Sequence, residues 1–331
     1  MKERSNMDEQ TFTPRTDLTE LKNSIDKVRL EIKKIIVGQD KIIEMMIAAV
    51  LADGHVLIEG VPGIAKTLLA KLIARTISAD FSRIQFTPDL MPSDILGTSV
   101  FNMKTSEFEF NRGPIFSNII LIDEINRAPA KTQSALFESM EERQVTVDGV
   151  TYMLDKPFTV FATQNPIEHE GTYKLPEAQL DRFLFKVEMD YPSMDEEVKI
   201  LLDLHSRKNI NDLSIIQPVF TKTSLIELRE KVRTLHIDEK VAIYIAQIVN
   251  KTRNNSDLYL GGSPRASISI MVGAKAIAAT RGRDFVTPDD VRDVVYPALR
   301  HRILLTPEKE MEGRTPDDLI KTTLERIEVP R

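Results

Sequence analysis

Two glycines, a lysine and a threonine stand between a short apolar run and a helical pattern near the start of the chain. The segment GVPGIAKT places Gly60, Gly63, Lys66 and Thr67 directly after "HVLIE" and at the beginning of an amphipathic pattern. Backbone N–H groups at a helix start, with the positive end of its dipole, can hold phosphate. The lysine would reach the β- and γ-phosphates of a nucleotide, and the threonine hydroxyl would bind Mg²⁺. The segment therefore predicts a phosphate-binding loop.

This loop departs from the usual pattern G-x-x-x-x-G-K-[ST] at one position. Ala65 stands where the second glycine should be, and a methyl group can be tolerated there if the residue has a negative φ. A strand–turn–helix corner with a chance lysine remains the alternative on this motif alone. The residues that the loop would bring to the nucleotide are Gly60, Val61, Pro62, Gly63, Ile64, Ala65, Lys66, Thr67 and Leu68.

Two adjacent carboxylates end a second apolar run farther along the chain. In "IILIDEINRA" the run stops at Asp123 and Glu124. Parallel sheets bind ligands at the carboxyl ends of their strands, so Asp123 could hold Mg²⁺ through water and Glu124 could orient and deprotonate the attacking water. As pure structure the pair would be costly, because a buried unpaired charge is expensive. The two motifs together, in this order, favour nucleotide hydrolysis over a chance corner.

The composition is that of a soluble globular protein. The 331 residues are 42% apolar and 28% charged, and the net charge of −6 provides no global basic field for nucleic acid or anionic lipid. Without cysteine, the chain has no disulfides, thiolate catalysis or cysteine-ligated metal. The polar N-terminus does not match a signal peptide, and no apolar stretch approaches the roughly 18 residues of a membrane span. We expect a cytoplasmic protein.

Alternating apolar runs and helical patterns predict the domain organisation. Residues 1–20 are polar and are expected to form a disordered tail. Between 21 and 191, continuous apolar strands among helices predict an α/β core with a mostly parallel sheet covered on both faces. From 192 to 331 the period is helical, and Thr287 and Pro288 open one helix as N-cap and first residue, so we expect a smaller all-α domain. The strand candidates are "HVLIEG", "RIQF", "IILIDE", "FTVFATQN" and "FLFKVEM".

Four ordered segments resemble the AAA+ ATPases of the MoxR family: "GVPGIAKT", "LIDEINRAP", "FATQNPIEHEGTY" and "LPEAQLDRF". The resemblance covers roughly residues 25–331. It implies an αβα core with a five-stranded parallel sheet, a helical lid, and ATP bound between them with Mg²⁺. It also implies a homo-hexameric ring that acts on a protein client, frequently with a von Willebrand factor A domain protein as partner.

The resemblance assigns roles to two polar residues of the core. Asn165, at the end of "FTVFATQN", matches sensor 1, which helps to position the water or the γ-phosphate. Arg182 in "QLDRF" resembles the arginine finger, which reaches a neighbouring subunit's nucleotide and neutralises transition-state charge. The alternatives are that Asn165 is a turn former and that Arg182 forms a salt bridge with Asp181 or a carboxylate at the sheet edge.

Two further segments are assigned through the same resemblance. Arg265 in "GGSPRAS" resembles sensor 2 at a helix start in the lid, and it could act on its own subunit's nucleotide or on a neighbour's. The alternative is a solvated arginine at the helix start. Val37 and Gly38 in "IIVGQDKII" would let backbone groups approach adenine, and the alternative is a loop before a helix that starts at Gln39.

Two inserted segments are predicted to be β-hairpins. Residues 96–116 have a polar centre and alternate apolar and polar side chains in "SEFEF", and residues 143–156 place Asp148-Gly149, a strong turn signal, between two alternating runs. In the family both hairpins face the centre of the ring. Their aromatic residues could contact the client or could serve hairpin packing alone: Phe101, Phe108 and Phe110.

Other interpretations stay open or find little support. A nucleic-acid-stimulated motor is one alternative, against which the acidic charge argues, and a non-hydrolysing assembly switch is another, against which Glu124 argues. Lys174 stands where members of the family usually have a proline, so we expect the loop that leads to Arg182 to be more mobile. The histidines lack metal spacing and are interpreted as surface or packing residues: His55, His169, His205, His236 and His301.

Overall fold

The structure is a computed structural model that describes residues 17–166, 173, 175–206 and 213–330. Residues 1–16 of the predicted tail, His169 and Lys174 lie outside this range. Its α-helices are α1 (Thr19–Lys33), α2 (Asp40–Leu51), α3 (Lys66–Thr76), α4 (Pro92–Leu96), α5 (Ala130–Glu142), α6 (Glu177–Leu180), α7 (Met194–Ser206), α8 (Lys222–Arg233), α9 (Glu239–Arg253), α10 (Pro264–Thr280), α11 (Pro288–Leu299), α12 (Pro307–Met311) and α13 (Pro316–Glu325). Its β-strands are β1 (Val56–Gly60), β2 (Ile77–Ser78), β3 (Phe81–Gln85), β4 (Gly97–Asn102), β5 (Glu107–Arg112), β6 (Ile119–Asp123), β7 (Gln144–Val147), β8 (Val150–Met153), β9 (Thr159–Gln164), β10 (Phe185–Met189), β11 (Phe220–Thr221), β12 (Leu258–Leu260) and β13 (Leu304–Leu305).

A parallel sheet of five strands forms the centre of the core, in the order β10-β1-β9-β6-β3. Each strand falls within one of the five predicted apolar runs or overlaps it. The α/β fold class with a five-stranded parallel sheet is therefore confirmed. Because all five strands run in the same direction, the carboxyl ends of β1, β6 and β9 meet at one edge of the sheet.

Alternate side chains of these strands enter two different hydrophobic cores. Ile58 and Leu121 pack with α1, α2, α3 and the lid helices on one face, whereas Leu57 and Ile122 pack with α4 and α5 on the other. Successive side chains of a strand point to opposite faces, so a strand covered on both faces is apolar throughout. This burial explains why the strands appear in the sequence as continuous apolar runs.

The helical lid shares the first of these cores. Helix α10 packs on α2 and α11 and against β10. A Cβ on Gly273 would lie 2.6 Å from the ring of Phe185, so only glycine allows the helix to approach the strand this closely. Helix α11 begins as predicted, with Thr287 accepting a hydrogen bond from Asp290 N–H while the Asp290 carboxylate accepts one from Thr287 N–H.

Two antiparallel hairpins project from the core. Strands β4 and β5 pair Phe101 with Phe108, whose rings lie 5.2 Å apart and are largely exposed. Strands β7 and β8 are joined by Asp148-Gly149, both with positive φ, as a tight two-residue turn requires. Phe110 of the first hairpin stacks on Tyr152 of the second at 4.4 Å, so the two hairpins contact each other.

Across the part of the chain that is described, no helix has both the length and the apolarity needed to span a lipid bilayer.

Two buried histidines are held neutral by their surroundings. His55 Nδ1 accepts a hydrogen bond of 3.0 Å from Val160 N–H, which leaves Nε2–H to face the Met140 carbonyl at 3.4 Å. His301 Nε2 lies 3.0 Å from the Phe183 carbonyl. Burial is the main cause that lowers the pKa of both imidazoles well below the ordinary value.

We expect the free energy of unfolding to fall as the pH drops below about 6.5, the ordinary histidine pKa. Because the folded-state pKa of His55 and His301 is depressed, protons bind the unfolded chain first. The stability that these residues contribute is present above that pH and is lost as the pH falls toward the folded-state pKa. Each should account for about 1 kcal/mol between about pH 7.5 and 5.5, measured by urea denaturation.

His55→Gln should reduce this pH dependence, and His205→Gln, which changes an exposed histidine, should leave it unchanged. An identical pH dependence in wild type and His55→Gln would show that His55 is not kept neutral by burial.

Candidate active site

The predicted phosphate loop joins β1 to α3. Helix α3 begins at Lys66, and the Ala65 carbonyl accepts the first helical hydrogen bond, 2.9 Å from Leu69 N–H. The condition under which a methyl group is tolerated without strain, a negative φ at Ala65, is not met, because this residue has the left-handed values φ 67 and ψ 24. An L-residue pays about 1–2 kcal/mol for that conformation, which the missing glycine would have avoided.

Lys66 lies between the ends of two neighbouring strands. Its amine donates a hydrogen bond to the carbonyl of Gly60, at the end of β1, and one of 3.3 Å to the carbonyl of Gln164, at the end of β9. The ammonium group is thus held at the carboxyl edge of the sheet, directly after the loop.

Asp123 is the centre of a polar cluster at the same edge. Its carboxylate is buried and accepts hydrogen bonds from Thr67 Oγ1 at 3.1 Å and from Thr163 Oγ1 at 3.2 Å. Arg83 Nε, on the edge strand β3, donates to the other carboxylate oxygen at 2.7 Å. The structure therefore brings Thr67 and Asp123 together, and it adds Thr163 and Arg83, which the sequence analysis missed.

Glu124 follows β6 in a left-handed conformation and turns its carboxylate toward β3. Gln85 Nε2 donates a hydrogen bond of 2.7 Å to this carboxylate, and Arg127 lies 3.3 Å away as an ion-pair partner. The Glu124 N–H donates to Thr163 Oγ1 at 3.0 Å. Asn165 is buried and directly follows β9, the strand next to β6.

The pairing register of neighbouring strands could have identified Gln85 and Thr163 as partners of Asp123 and Glu124. Gln85 lies opposite Asp123 in the β3–β6 pairing, and Thr163 is one position beyond Ala162, which pairs with Ile122 of β6. A polar residue at the end of a strand therefore lies beside polar residues at the ends of the adjacent strands.

A cavity of about 510 Å³ opens beside the phosphate loop. Gly38 does not line it, but its φ is +69, a left-handed backbone conformation that favours glycine at this position. One wall of the cavity comes from α7 and the residues before it, which the sequence analysis did not assign to the site. The cavity is lined by residues that include Val37, Gln39, Pro62, Gly63, Ile64, Ala65, Leu68, Met189, Tyr191, Leu201 and Leu204.

Arg182 and Arg265 lie together in a different cavity. Arg265 Nη2 is 2.8 Å from the Glu141 carboxylate, and Arg182 Nη1 is 3.7 Å from the same group. Arg182 also donates a hydrogen bond of 2.6 Å to the Phe137 carbonyl. Among the described residues Arg182 forms no ion pair with Asp181 or with a sheet-edge carboxylate, the two alternatives, and its carboxylate partner is Glu141.

This second cavity has a volume of about 280 Å³ and shares no lining residue with the cavity at the phosphate loop. Its lining contains four arginines and three carboxylates, so the positive charges exceed the negative ones. An anion is the expected ligand of such a site. The charged residues are Asp53, Glu141, Arg143, Asp181, Arg182, Arg265 and Arg302.

The oxygen donors at Asp123 suit Mg²⁺. A hydroxyl and a carboxylate are hard ligands, and Mg²⁺ is usually held by one or two carboxylates, with water and substrate phosphates completing its octahedron. The described residues contain no group of three or more histidines or carboxylates that could hold a metal on their own. A metal at Thr67 and Asp123 would therefore depend on phosphate oxygens and water.

We expect Ala65→Gly to raise the free energy of unfolding by about 0.5–1 kcal/mol, since glycine adopts a left-handed φ without a Cβ penalty. Ala246→Gly, at an exposed position inside α9, should instead lower it by about 1 kcal/mol. Urea denaturation of both variants at one pH measures the two changes. A loss of stability in Ala65→Gly similar to that in Ala246→Gly would mean that the loop carries no backbone strain.

Two family models match the chain in the order of its two domains. The model described as "ATPase family associated with various cellular activities (AAA)" matches residues 55–185, and the model described as "AAA lid domain" matches residues 250–323. The crystal structure of a protein from Cytophaga hutchinsonii superimposes with a TM-score of 0.86 and 41% identity, covering 94% of this chain and 97% of that one.

Full-length relatives agree with this assignment. The chain is 48% identical to the protein YeaC of Bacillus subtilis, over 90% of this chain and 92% of that protein. It is 43% identical to the chaperone MoxR1 of Mycobacterium tuberculosis, over 93% of this chain and 83% of that protein. Similarity at this level across both domains shows that the chain belongs to the MoxR family of AAA+ ATPases.

Proposed function

We propose that this protein is an ATP-hydrolysing chaperone that works as a homo-hexameric ring on a protein client. The observation that carries the proposal is the contact of Thr67 with Asp123, next to Lys66 and Glu124, at the carboxyl edge of the sheet. This edge is where parallel sheets bind ligands. The name of the chaperone MoxR1, a relative at 43% identity, supports a role in assisting other proteins.

ATP would lie between the loop of residues 60–68 and the cavity bounded by α7. Val37 and Gly38 would offer backbone groups to adenine, and Lys66 would exchange its carbonyl partners for the β- and γ-phosphates. Thr67 and Asp123 would hold Mg²⁺, whose contribution when bound is to neutralise phosphate charge. Arg83, which is paired with Asp123 at 2.7 Å, must then release part of that carboxylate.

Glu124 would orient and deprotonate the attacking water, and Asn165 would position that water or the γ-phosphate. Gln85 donates to Oε2 of the Glu124 carboxylate at 2.7 Å, which orients the carboxylate and leaves Oε1 to accept a proton from water. Thr163 contacts both residues, since it donates to the Asp123 carboxylate and accepts from the backbone N–H of Glu124.

Arg182 and Arg265 would act on the nucleotide of a neighbouring subunit. Their cavity shares no lining residue with the phosphate loop of the same chain, and its excess positive charge suits a phosphate. In addition, Arg182 Nε is buried without a hydrogen-bond partner in the described part of the chain. A donor in that state could bind an incoming anion. A ring in which each subunit completes the next site accounts for these features.

The client would be contacted by the hairpins. Phe101 and Phe108 form an aromatic pair. Phe108 is 74% exposed, and Met103 at the tip of the same hairpin is 88% exposed. Apolar side chains presented this way suit a protein surface better than nucleic acid, and the net charge of −6 also disfavours a nucleic-acid motor. We also propose that the protein acts with a partner that contains a von Willebrand factor A domain. Its proposed location is the cytoplasm.

Lys66→Ala should abolish nucleotide binding, because it removes the cation that faces the phosphates. Arg182→Ala should leave binding unchanged and lower the hydrolysis rate by about 10³-fold or more, as expected for an arginine finger. Fluorescent-nucleotide titration and phosphate release measure the two steps. Lys71→Ala, a second lysine of α3, is the matched control and should keep both. Tight nucleotide binding by Lys66→Ala would refute the phosphate-loop assignment.

Glu124→Gln should bind ATP normally and hydrolyse it about 10² to 10⁴ times more slowly, because the amide cannot accept the water's proton. The trapped ATP state should retain its client in a pull-down, whereas Glu138→Gln, on the exposed side of α5, should behave as wild type. Wild-type hydrolysis by Glu124→Gln would exclude Glu124 as the base, and full client activity without hydrolysis would favour the assembly switch.

A further inference from the structure

A lid arginine holds the loop that carries Arg182. Arg302 follows α11, and its guanidinium is 2% exposed. Nε forms an ion pair of 2.5 Å with the Asp181 carboxylate, and Nη2 donates to the carbonyls of Asp181 at 3.0 Å and Phe183 at 2.7 Å. Nη1 donates to the Leu184 carbonyl at 3.2 Å. One planar group therefore binds the backbone on both sides of Arg182.

The preceding lid residue binds the same loop. His301 Nε2 lies 3.0 Å from the Phe183 carbonyl, which also accepts from Arg302. Since this imidazole is buried and neutral, Nε2 must carry the proton to donate here. Two consecutive lid side chains thus approach one short segment of the core.

Asp181 also connects this loop to the start of α10. Its second carboxylate oxygen is 3.4 Å from Ser263 Oγ and 3.9 Å from Arg265 Nη1. Arg265 in turn shares the Glu141 carboxylate with Arg182. The Glu141 carboxylate thus connects Arg182 with Arg265, and the Asp181 carboxylate connects Arg265 with Arg302.

Stability alone does not explain this arrangement. Removing an arginine and a carboxylate from water costs several kcal/mol, and well-packed apolar residues often replace such pairs without loss. Burial lowers the pKa of Arg302, and the hydrogen bond and charge of Asp181 oppose that shift. What the guanidinium provides and an apolar side chain cannot is a rigid fork that fixes several oxygens relative to one another.

We propose that Arg302 is a positioning residue that fixes Arg182 to the lid, so that Arg182 and Arg265 move as one group when the lid moves. This inference rests on the proposed function, in which both arginines act on a neighbour's nucleotide. A displacement of a reacting group by about 1 Å can cost about 10²-fold in rate. Loss of Arg302 therefore affects hydrolysis in the neighbouring subunit while the subunit's own phosphate loop stays intact.

The first test compares Arg302→Met with Arg300→Met. Arg300 is also a largely buried lid arginine, 12% exposed and paired with Asp317 at 2.6 Å, but it does not contact the Arg182 loop. Arg302→Met should lower kcat about 10²-fold with an ATP Kd within about twofold of wild type, whereas Arg300→Met should keep kcat within about twofold. A wild-type kcat in Arg302→Met overturns the proposal.

The second test mixes variants in one assembly. Arg302→Met subunits keep their phosphate loops, and Lys66→Ala subunits keep a correctly held Arg182, so the mixture should hydrolyse ATP faster than either variant alone. A merely unfolded Arg302→Met chain cannot give this result. If it does not fold, Arg302→Lys replaces it, since lysine keeps the charge but not the fork and should still lose about tenfold in kcat. No recovery in the mixture, with ATP binding intact, overturns the proposal.

The mixture of Arg182→Ala with Lys66→Ala distinguishes the role of Arg302 from that of Arg182. If this mixture recovers hydrolysis and the mixture with Arg302→Met does not, the proposed function stands and the role of Arg302 is wrong. If Arg182→Ala alone hydrolyses ATP normally, the proposed action of Arg182 on a neighbour's nucleotide, on which this inference rests, is wrong.

Discussion

The burial of both faces of the central sheet is the constraint on which the rest of the molecule depends. Strands such as β6, in which all five residues are buried, have no exposed position for polar side chains along their length. The polar side chains therefore lie at the ends of the strands. Parallel direction brings those ends to one edge. Thr67, Asp123 and Thr163 meet there through hydrogen bonds of 3.1 and 3.2 Å, although they come from distant parts of the chain.

This constraint also explains which features could be predicted. The strands, the Asp148-Gly149 turn and the Thr287 cap depend on local patterns of two to about eight residues, and the sequence displays those patterns directly. Partners such as Arg83 and Gln85 depend on which strands are neighbours and in what register, and single-sequence periodicity contains neither. Ala65 illustrates a third limit, because a loop held by its surroundings can keep a residue in a conformation that its side chain disfavours.

The site at the sheet edge and the cavity of Arg182 and Arg265 differ in charge. At the sheet edge, the carboxylates of Asp123 and Glu124 already have cationic or amide partners within the same chain. The cavity of Arg182 and Arg265 instead contains more arginines than carboxylates. The sheet edge thus presents carboxylates, whereas the cavity has an excess of guanidinium donors, and this difference is the basis for proposing that one subunit completes the site of the next.

The contact between Gly273 and Phe185 has a mechanical consequence. Because the helix backbone lies directly on an aromatic ring of β10, no long side chain separates them to absorb a displacement. Strand β10 pairs with β1, which leads into the loop of residues 60–68. Because protein interiors are close-packed, a shift of α10 toward the sheet would have to displace Phe185 and with it β10.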